Sequence, residues 1–274
     1  MKARLLVAAI GVPFVVLVIV WLPKLVLAIL MAVMCAIAVY ELLHATRLLT
    51  HARILLYTAV LAALVPIWSY FGSPIPAAVL ALAIYCILLF AELLPAYRTL
   101  KVESLSTALL AGILIPVLLS SLVRLMQMDL GRFYVCVPVA VAFIADGGAY
   151  FAGRAFGKHK LAPNVSPHKT VEGMVGGILT ALIAMVLFAV VCRYCFHYEV
   201  NYVAAVVYGL VGAGASVLGD RGFSAIKRQT GIKDYGHLLP GHGGVLDRFD
   251  SMVLVAPVIE VLVWLMPLLG GKIA

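Results

Sequence analysis

The sequence has few charged residues, and acidic residues are especially scarce. Only 12% of its 274 residues are charged, and 12 acidic residues stand against 20 basic ones. Soluble domains typically carry about 25% charged residues and roughly 45–50% apolar ones, whereas 65% of this chain is hydrophobic. A soluble core cannot bury so large an apolar fraction, and the composition therefore excludes an ordinary water-soluble protein.

Two further classes are excluded by what the chain lacks. A nucleic-acid-binding protein with this net charge of +8 would need a basic face on a soluble domain, and the sequence has no such domain. The five cysteines lie in or at the ends of apolar segments, where a thiol behaves as a small hydrophobic group. Cys192 and Cys195 have the spacing of a metal or redox pair, but no second pair or clustered histidine accompanies them, so we assign them no metal.

The chain has instead nine apolar segments, each long enough to cross a bilayer. A chain in lipid must satisfy its own backbone hydrogen bonds, which favours helices. We therefore predict an all-α, polytopic integral membrane protein with about nine transmembrane helices. The predicted spans are Leu5 to Leu22, Leu25 to Leu43, Ile54 to Phe71, Ile75 to Leu94, Leu105 to Leu125, Phe133 to Phe151, Met174 to Phe196, Tyr202 to Leu218 and Phe249 to Leu269.

The first span and the basic residues predict the orientation. A second apolar stretch begins directly after Lys24, which favours an uncleaved first span over a secretory signal peptide. Fifteen of the 20 basic residues lie at the N-terminus or in the even-numbered loops. Because basic loops tend to stay in the cytoplasm, we predict a cytoplasmic N-terminus and an external C-terminus.

We predict a single membrane-embedded domain over residues 1–274, with N-terminal spans in 1–130 and a catalytic part in 131–274. Two connections, Gly153 to Gly173 and Gly219 to Arg248, are longer than the others, and both are cytoplasmic in this topology. These connections and their edges hold six of the 12 acidic residues. These six acidic residues are Asp146, Glu172, Asp220, Asp234, Asp247 and Asp250.

The acidic residues of the second connection indicate a metal site. Asp220 directly follows an apolar span, and Asp247 and Asp250 lie at the start of the next one. Ionised carboxylates near the hydrocarbon boundary are costly and are usually compensated by a cation or a paired base. If the chain is helical from Asp247 onward, Asp247 and Asp250 project from one face. Carboxylates with open coordination positions suit Mg²⁺.

Basic residues and glycines in the same connection indicate phosphate binding. Arginine binds phosphate in a bidentate manner, and glycines let backbone N–H groups approach an anion. Loop anchoring to anionic lipid would explain the basic residues but neither the aspartates nor the glycines. A nucleotide or pyrophosphate substrate explains all three. The basic residues are Lys227, Arg228, Lys233 and Arg248, and the predicted turn comprises His242, Gly243 and Gly244.

The spacing of these residues forms a signature of about thirty positions. Its residues are Ser224, Lys227, Arg228, Lys233, Asp234, Gly236, Pro240, Gly241, His242, Gly243, Gly244, Asp247, Arg248 and Asp250. It resembles the signature of the phosphatidate cytidylyltransferases, also called CDP-diacylglycerol synthases. Further landmarks extend the resemblance over essentially the whole chain, namely Tyr40 to Leu42, Asp146 to Phe151, Gly153 with Arg154, Phe156 to Lys158 and Ser166 to Gly173. Two positions depart from the family pattern, because Arg221 replaces an apolar residue and Phe223 an acidic one.

The resemblance implies transfer of a cytidylyl group from CTP to phosphatidic acid, which yields CDP-diacylglycerol and pyrophosphate. It implies Mg²⁺ as cofactor, with a second cation left open, and a multi-pass protein of the bacterial inner (plasma) membrane whose active site faces the cytoplasm. Membrane lipid is the implied environment, nucleic acid is not a partner, and a homodimer is left open. The residues assigned to catalysis are Asp220, Lys227, Arg228, Lys233, Asp234, His242, Asp247 and Arg248. Those assigned to substrate binding are Ser224, Gly243, Gly244, Lys169 and Arg154. Those assigned to metal binding are Asp220, Asp247, Asp250 and Asp146.

Two alternatives stay open. Acidic residues within predicted spans can mark the ion path of a transporter, although the matched broken helices of inverted repeats are not visible in the sequence. Another CTP-using lipid enzyme, such as a polyprenol kinase or an ether-lipid synthase, would share the chemistry of the site. The acidic residues in question are Glu41, Glu92, Asp146 and Glu260.

Overall fold

A computed structural model of the protein describes residues 2–46, 51–72, 75–162, 166–238 and 243–273. These residues form eleven helices and four short strands. The helices are α1 (Lys2–Val20), α2 (Lys24–Ala45), α3 (Ala52–Phe71), α4 (Ile75–Leu93), α5 (Val102–Leu119), α6 (Ser121–Gln127), α7 (Gly131–Phe156), α8 (Val171–Phe196), α9 (Tyr202–Gln229), α10 (Leu246–Phe249) and α11 (Met252–Leu265). The strands are β1 (Lys160–Ala162), β2 (Ser166–Thr170), β3 (Tyr198–Val200) and β4 (Leu269–Lys272).

The prediction of an all-α polytopic membrane protein is confirmed. Within the described residues, seven helical stretches are long and apolar enough to cross a membrane: α2, α3, α4, α5 with α6, α7, α8 and α9. They correspond to the second through eighth predicted spans. The count of nine spans and the cytoplasmic N-terminus stay predictions.

The region of the last predicted span is divided rather than continuous. The helix α10 ends at Phe249, a turn follows at Asp250 and Ser251, and α11 begins at Met252 and has only 14 residues. A straight helix needs about 20 residues to span the hydrocarbon layer. The continuous helix that would place Asp247 and Asp250 on one face therefore does not form.

The chain folds into two compact units. Unit 1 comprises Met1–Gln127 and Lys227–Phe249, and unit 2 comprises Met128–Ile226 and Asp250–Ala274. The prediction of a single domain with its catalytic part in 131–274 stays a prediction.

Unit 1 is organised around α2. This helix packs against α3, α5, α6 and α10, and α3 also contacts α4, α5 and α6. Small side chains fill the helix contacts, and Ala28, Cys35, Ala62 and Ala108 are completely buried. Helices in lipid gain little from burying apolar surface, so close backbone approach over small residues provides much of their association energy.

Unit 2 is organised around the pair α7 and α8, with α11 packed on α7. Two glycines allow the close approach of the pair. A Cβ atom on Gly177 would lie 2.6 Å from the carbonyl oxygen of Ala145, and one on Gly173 would lie 2.8 Å from that of Ala149. Any side chain at these positions would push the two backbones apart, so the sequence pattern of small residues determines the helix spacing.

Two antiparallel strand pairs belong to unit 2. In the pair β1 and β2, Lys160 lies opposite Thr170, and in the pair β3 and β4, Tyr198 lies opposite Lys272. The strand β2 leads directly into α8, where the hydroxyl of Thr170 accepts a hydrogen bond from the backbone N–H of Gly173 at 3.1 Å. This N-cap fixes β2 to the start of α8.

Candidate active site

Unit 1 holds the carboxylate of Asp247 in a closed set of hydrogen bonds. Its side chain is 2% exposed, and Oδ1 accepts a hydrogen bond from the Lys227 ammonium at 2.8 Å. Its Oδ2 accepts from the backbone N–H groups of Tyr235 at 2.8 Å and Gly244 at 3.0 Å. A buried ion pair is stable only when its remaining polar atoms are also satisfied. The two amides meet that need, and Asp247 thereby holds the segment between α9 and α10 at two positions, Tyr235 and Gly244.

We call this segment the signature loop; its described residues are 230–238 and 243–245. Glu41, near the end of α2, holds the same loop. Its Oε1 accepts a hydrogen bond from the N–H of Val245 at 3.0 Å and its Oε2 from that of Leu246, the first residue of α10, at 2.9 Å. Gly236 and Gly244 press against the carboxylate, because a Cβ atom on either would lie 2.6 Å from Cδ of Glu41. Glu41 is thus a buried anchor for the loop.

Gly243 adopts a backbone conformation that glycine favours, with φ of 86°. A Cβ atom there would also lie 3.0 Å from Oδ2 of Asp247. The glycines therefore serve the packing of the loop around Asp247, and the N–H of Gly244 is already bound to it. The predicted catalytic His242 lies outside the described residues.

The remaining predicted residues of unit 1 lie at the surface. Arg228, Lys233, Asp234 and Arg248 are exposed. Lys227 is instead buried, and its ammonium also lies 5.3 Å from the centroid of the Tyr235 ring, which is within range of a cation–π contact. Within unit 1, the predicted residues therefore divide into a buried group that holds the loop and an exposed group.

Unit 2 contains a cavity of about 430 Å³ lined by residues of α7, β1, β2, α8 and α9. Apolar or small residues such as Ala145, Tyr150, Leu161, Met174 and Val217 form most of its wall. A concave apolar wall with a few polar groups is the usual form of a small-molecule site. The charged residues that line the cavity are Asp146, Arg154, Lys169, Asp220 and Arg221.

Four of these five residues were predicted site residues, and the structure brings them together within unit 2. The ammonium of Lys169 pairs with the carboxylate of Asp220. Their side chains are 42% and 19% exposed, so the pair lies at an accessible position. Asp146 and Arg154 both come from α7, and Arg154 lies in its last turn. Because β2 is fixed to α8 by Thr170, Lys169 is held at the cavity by the fold itself.

The fifth charged residue, Arg221, was noted in the sequence only as a departure from a family pattern. Its Nη2 lies 3.7 Å from the sulfur of Met174. Its Nε is buried and has no hydrogen-bond partner among the residues that the structure describes. Buried polar groups are rarely left unsatisfied in folded proteins, and each exception calls for an explanation. Arg221 is a residue of the site whose importance only the structure reveals.

Ser224 and Asp250, also predicted for the site, are not among the described residues that line this cavity. Ser224 is half-buried on α9, as is its neighbour Phe223. Asp250 is buried, and its Oδ1 accepts a hydrogen bond from the N–H of Ser251 at 2.7 Å. The assignment of substrate binding to Ser224 and of metal binding to Asp250 stays a prediction.

Glu172 organises the connection that carries Lys169. It accepts hydrogen bonds from the backbone N–H groups of Lys158 at 3.0 Å and of His159 at 3.2 Å, and its Oε1 lies 2.6 Å from Nδ1 of His159. An acidic residue in the first turn of a helix also interacts favourably with the helix dipole. The short segment between α7 and β1 is therefore tied to the start of α8.

The carboxylates of the cavity fit Mg²⁺ only in part. Among the described residues, no three His, Cys, Asp or Glu side chains are grouped so that they could hold a metal ion. Asp146 and Asp220 nevertheless line one cavity, and Mg²⁺ is commonly bound by one or two protein carboxylates together with substrate phosphates and water. The donor set therefore suits a Mg²⁺ ion that arrives with a polyphosphate. The carboxylate of Asp247 already accepts three hydrogen bonds, and its metal role stays a prediction.

The fold and the cavity together define a polytopic helical membrane protein with a cavity lined by both acidic and basic residues. The chain belongs to the Cytidylyltransferase family, which it matches over residues 2–266. The family resemblance predicted from the signature is thereby confirmed.

Several curated relatives are similar to the chain over nearly half of their length. A phosphatidate cytidylyltransferase of Haemophilus influenzae is 43% identical over 127 residues, which are 46% of this chain and 44% of the relative. The enzyme of that name from Bacillus subtilis is 45% identical over 125 residues, with the same two coverages. The phosphatidate cytidylyltransferase of Staphylococcus saprophyticus is 40% identical over 132 residues, which are 48% of this chain and 49% of the relative. The chain spans about half the length of the curated relatives it matches.

Proposed function

We propose that this protein transfers the cytidylyl group of CTP to phosphatidic acid and so forms CDP-diacylglycerol and pyrophosphate. The observation that carries the proposal is the cavity of unit 2, where Lys169 and Arg154 meet Asp146 and Asp220. Cations for phosphate and carboxylates for a metal are what a nucleotidyl transfer requires. Membership of the Cytidylyltransferase family supports CTP as donor, and the names of the relatives support phosphatidic acid as acceptor.

The reaction is a displacement at phosphorus. An oxygen of the phosphatidate phosphate forms a bond to the α-phosphorus of CTP, and the bond from that phosphorus to the bridging oxygen of the β-phosphate breaks. The electron pair leaves with pyrophosphate. Since the nucleophile is already an anion, a strong general base is not required. The main barrier is repulsion between two polyanions, which positioned cations reduce.

The residues of the cavity divide this work. Lys169 and Arg154 bind phosphate oxygens and offset their negative charge, and the pairing with Asp220 holds the Lys169 ammonium at the cavity before substrate arrives. Asp220 and Asp146 would hold Mg²⁺, with Asp250 of the same unit as a further candidate. When bound, Mg²⁺ would neutralise phosphate charge.

We further propose that this site faces the cytoplasm of a bacterial cell. The chain is a multi-pass membrane protein, and the last turn of α7 and the connection to α8 are rich in basic residues, including Arg154, Lys158, Lys160 and Lys169. Basic connections are retained on the cytoplasmic side. Phosphatidic acid keeps its acyl chains in the leaflet, so a site at this side can reach both its phosphate and soluble CTP.

Labelled CTP tests the proposal with purified protein in mixed micelles containing phosphatidic acid and Mg²⁺. Label from the α-phosphate should appear in lipid with wild-type protein, and Asp220→Asn should reduce the rate about 10²- to 10³-fold, the size expected for losing a key electrostatic group. Asp129→Asn, which changes an exposed aspartate of unit 2, should leave the rate unchanged. Transfer of label from the γ-phosphate instead would identify a kinase, and transfer of neither label would exclude a CTP-dependent lipid enzyme.

A further inference from the structure

We propose that Arg221 binds a substrate phosphate in the cavity of unit 2 and helps to determine which anion the site accepts. The inference rests on the proposed function, because it concerns the same cavity. Arg221 lines that cavity beside Asp220 on α9.

The guanidinium of Arg221 has donor capacity that the protein does not use. Within the described residues, its Nε is buried without a hydrogen-bond partner, and the contact recorded for its Nη2 is the sulfur atom of Met174, at 3.7 Å. A thioether sulfur is a weak acceptor. A charged donor shielded from water and left without a strong acceptor is costly, and a bound anion would remove that cost.

The unpaired Nε donor and the weakly paired Nη2 donor lie on one edge of the guanidinium. Nε and Nη2 share the edge that presents two roughly parallel N–H groups, and this fork matches two oxygens of a phosphate. Lysine at the same position would provide a point charge without this fork. The geometry therefore favours a phosphate group over a carbonyl or hydroxyl as the missing acceptor.

The charge balance of the cavity leads to the same ligand. Arg154, Lys169 and Arg221 place three cations around one cavity that has two acidic residues, Asp146 and Asp220. One of these acidic residues, Asp220, is already paired with Lys169. The excess positive charge and the partly exposed side chains of Lys169 and Arg154 leave the cavity both attractive and accessible to an anion. The phosphate could belong to phosphatidic acid or to CTP, and the experiment separates the two.

The test compares Arg221→Leu, Arg221→Lys and the control Arg193→Leu, which removes an exposed arginine in the last turn of α8. In steady-state assays of cytidylyl transfer, Arg221→Leu should raise the KM of one substrate about 10- to 100-fold, the size expected for lost hydrogen bonds to a charged group. A selective rise for phosphatidic acid assigns the lipid phosphate, and a selective rise for CTP assigns the nucleotide. Arg221→Lys should recover part of the affinity, and Arg193→Leu should match wild type.

Equilibrium binding of CTP and of phosphatidic acid to the same folded variants keeps this inference separate from the proposed function. If wild type binds one of them and Arg221→Leu binds it more weakly, Arg221 is a phosphate ligand even in a protein that transfers no label. If Arg221→Leu binds both compounds as wild type does and keeps both KM values, the inference is wrong. Size-exclusion profiles of the purified variants establish that each one is folded before binding is measured.

Discussion

Asp247 in unit 1 and Asp220 in unit 2 both belong to the connection from Gly219 to Arg248, but their surroundings differ. The side chain of Asp247 is 2% exposed and accepts hydrogen bonds from Lys227 and two backbone amides. The side chain of Asp220 is 19% exposed, and it lines a cavity whose partner Lys169 is 42% exposed. The same residue type therefore organises a loop in one unit and lies open to a ligand in the other.

This difference predicts how each unit responds to substitution. In unit 1, the buried charged groups Glu41, Lys227 and Asp247 are hydrogen-bonded within the protein, so removing one leaves its buried partners without hydrogen bonds and lowers stability. In unit 2, the charged groups of the cavity are accessible, so removing one should alter substrate turnover while the fold persists. The following variants test this contrast in order of their expected effect on stability.

Glu41→Ala should lower stability most. It leaves the N–H groups of Val245 and Leu246 without their acceptor, and each lost hydrogen bond to a charged group costs about 1.5–3 kcal/mol. We expect a shift of the unfolding midpoint when detergent-solubilised protein is titrated with SDS. Glu41→Gln should shift it less, because one carbonyl oxygen remains. Glu103→Ala, at an exposed position of unit 1, is the control, and a shift equal to that of Glu41→Ala would contradict the anchoring role of Glu41.

Lys227→Met should destabilise the protein by about 3–5 kcal/mol, because it leaves the buried Asp247 carboxylate without its cation. The same SDS titration measures the loss. The double variant Lys227→Met with Asp247→Asn should recover part of it, since the unpaired charge is then absent. A single variant as stable as wild type would show that the ion pair does not hold the signature loop.

Gly177→Ala should cost about 1–3 kcal/mol, the usual range for overpacking a tight contact. Its Cβ atom would lie 2.6 Å from the carbonyl oxygen of Ala145 and force α7 and α8 apart. Gly214→Ala is the matched control, because a Cβ atom on this glycine of α9 would meet nothing within 4 Å. Equal stability of the two variants would contradict the close packing of α7 on α8.

Lys169→Met should change stability least, by about 0–1 kcal/mol, because accessible ion pairs contribute little. The rate of cytidylyl transfer should nevertheless fall about 10²- to 10³-fold, since a cation at the reacting phosphates is lost. Lys158→Met, which alters an exposed lysine of the same connection, should leave both quantities unchanged. A large stability loss in Lys169→Met would remove the contrast between the two units.

Much of the fold could be predicted from the sequence because the length of an apolar run directly reflects the thickness of a bilayer. Seven of the predicted spans appear as helices of suitable length and composition in the described residues. The breaks between helices could not be predicted in this way. Two such breaks lie within apolar runs: the turn at Asp250 and Ser251, and the break between α5 and α6 at Ser120. The hydropathy of the sequence reveals neither of them.

The candidate site could be predicted in part. Asp146, Arg154, Lys169 and Asp220 were all predicted as site residues, and they line one cavity. The role of Glu41 was missed because its partners, the amides of Val245 and Leu246, lie some 200 positions along the chain. The one available signal was an acidic residue at the end of an apolar span, which needs a partner.

The sequence by itself determined the class of the protein, its helical character and its family, because each depends on composition or on the local spacing of residues. Only the tertiary structure decided which aspartate is enclosed and which is accessible. It also decided that Glu41 anchors the signature loop and that Arg221 lines a cavity with an unsatisfied donor. These properties depend on the position of backbone amides and side chains from distant parts of the chain, which no local pattern contains.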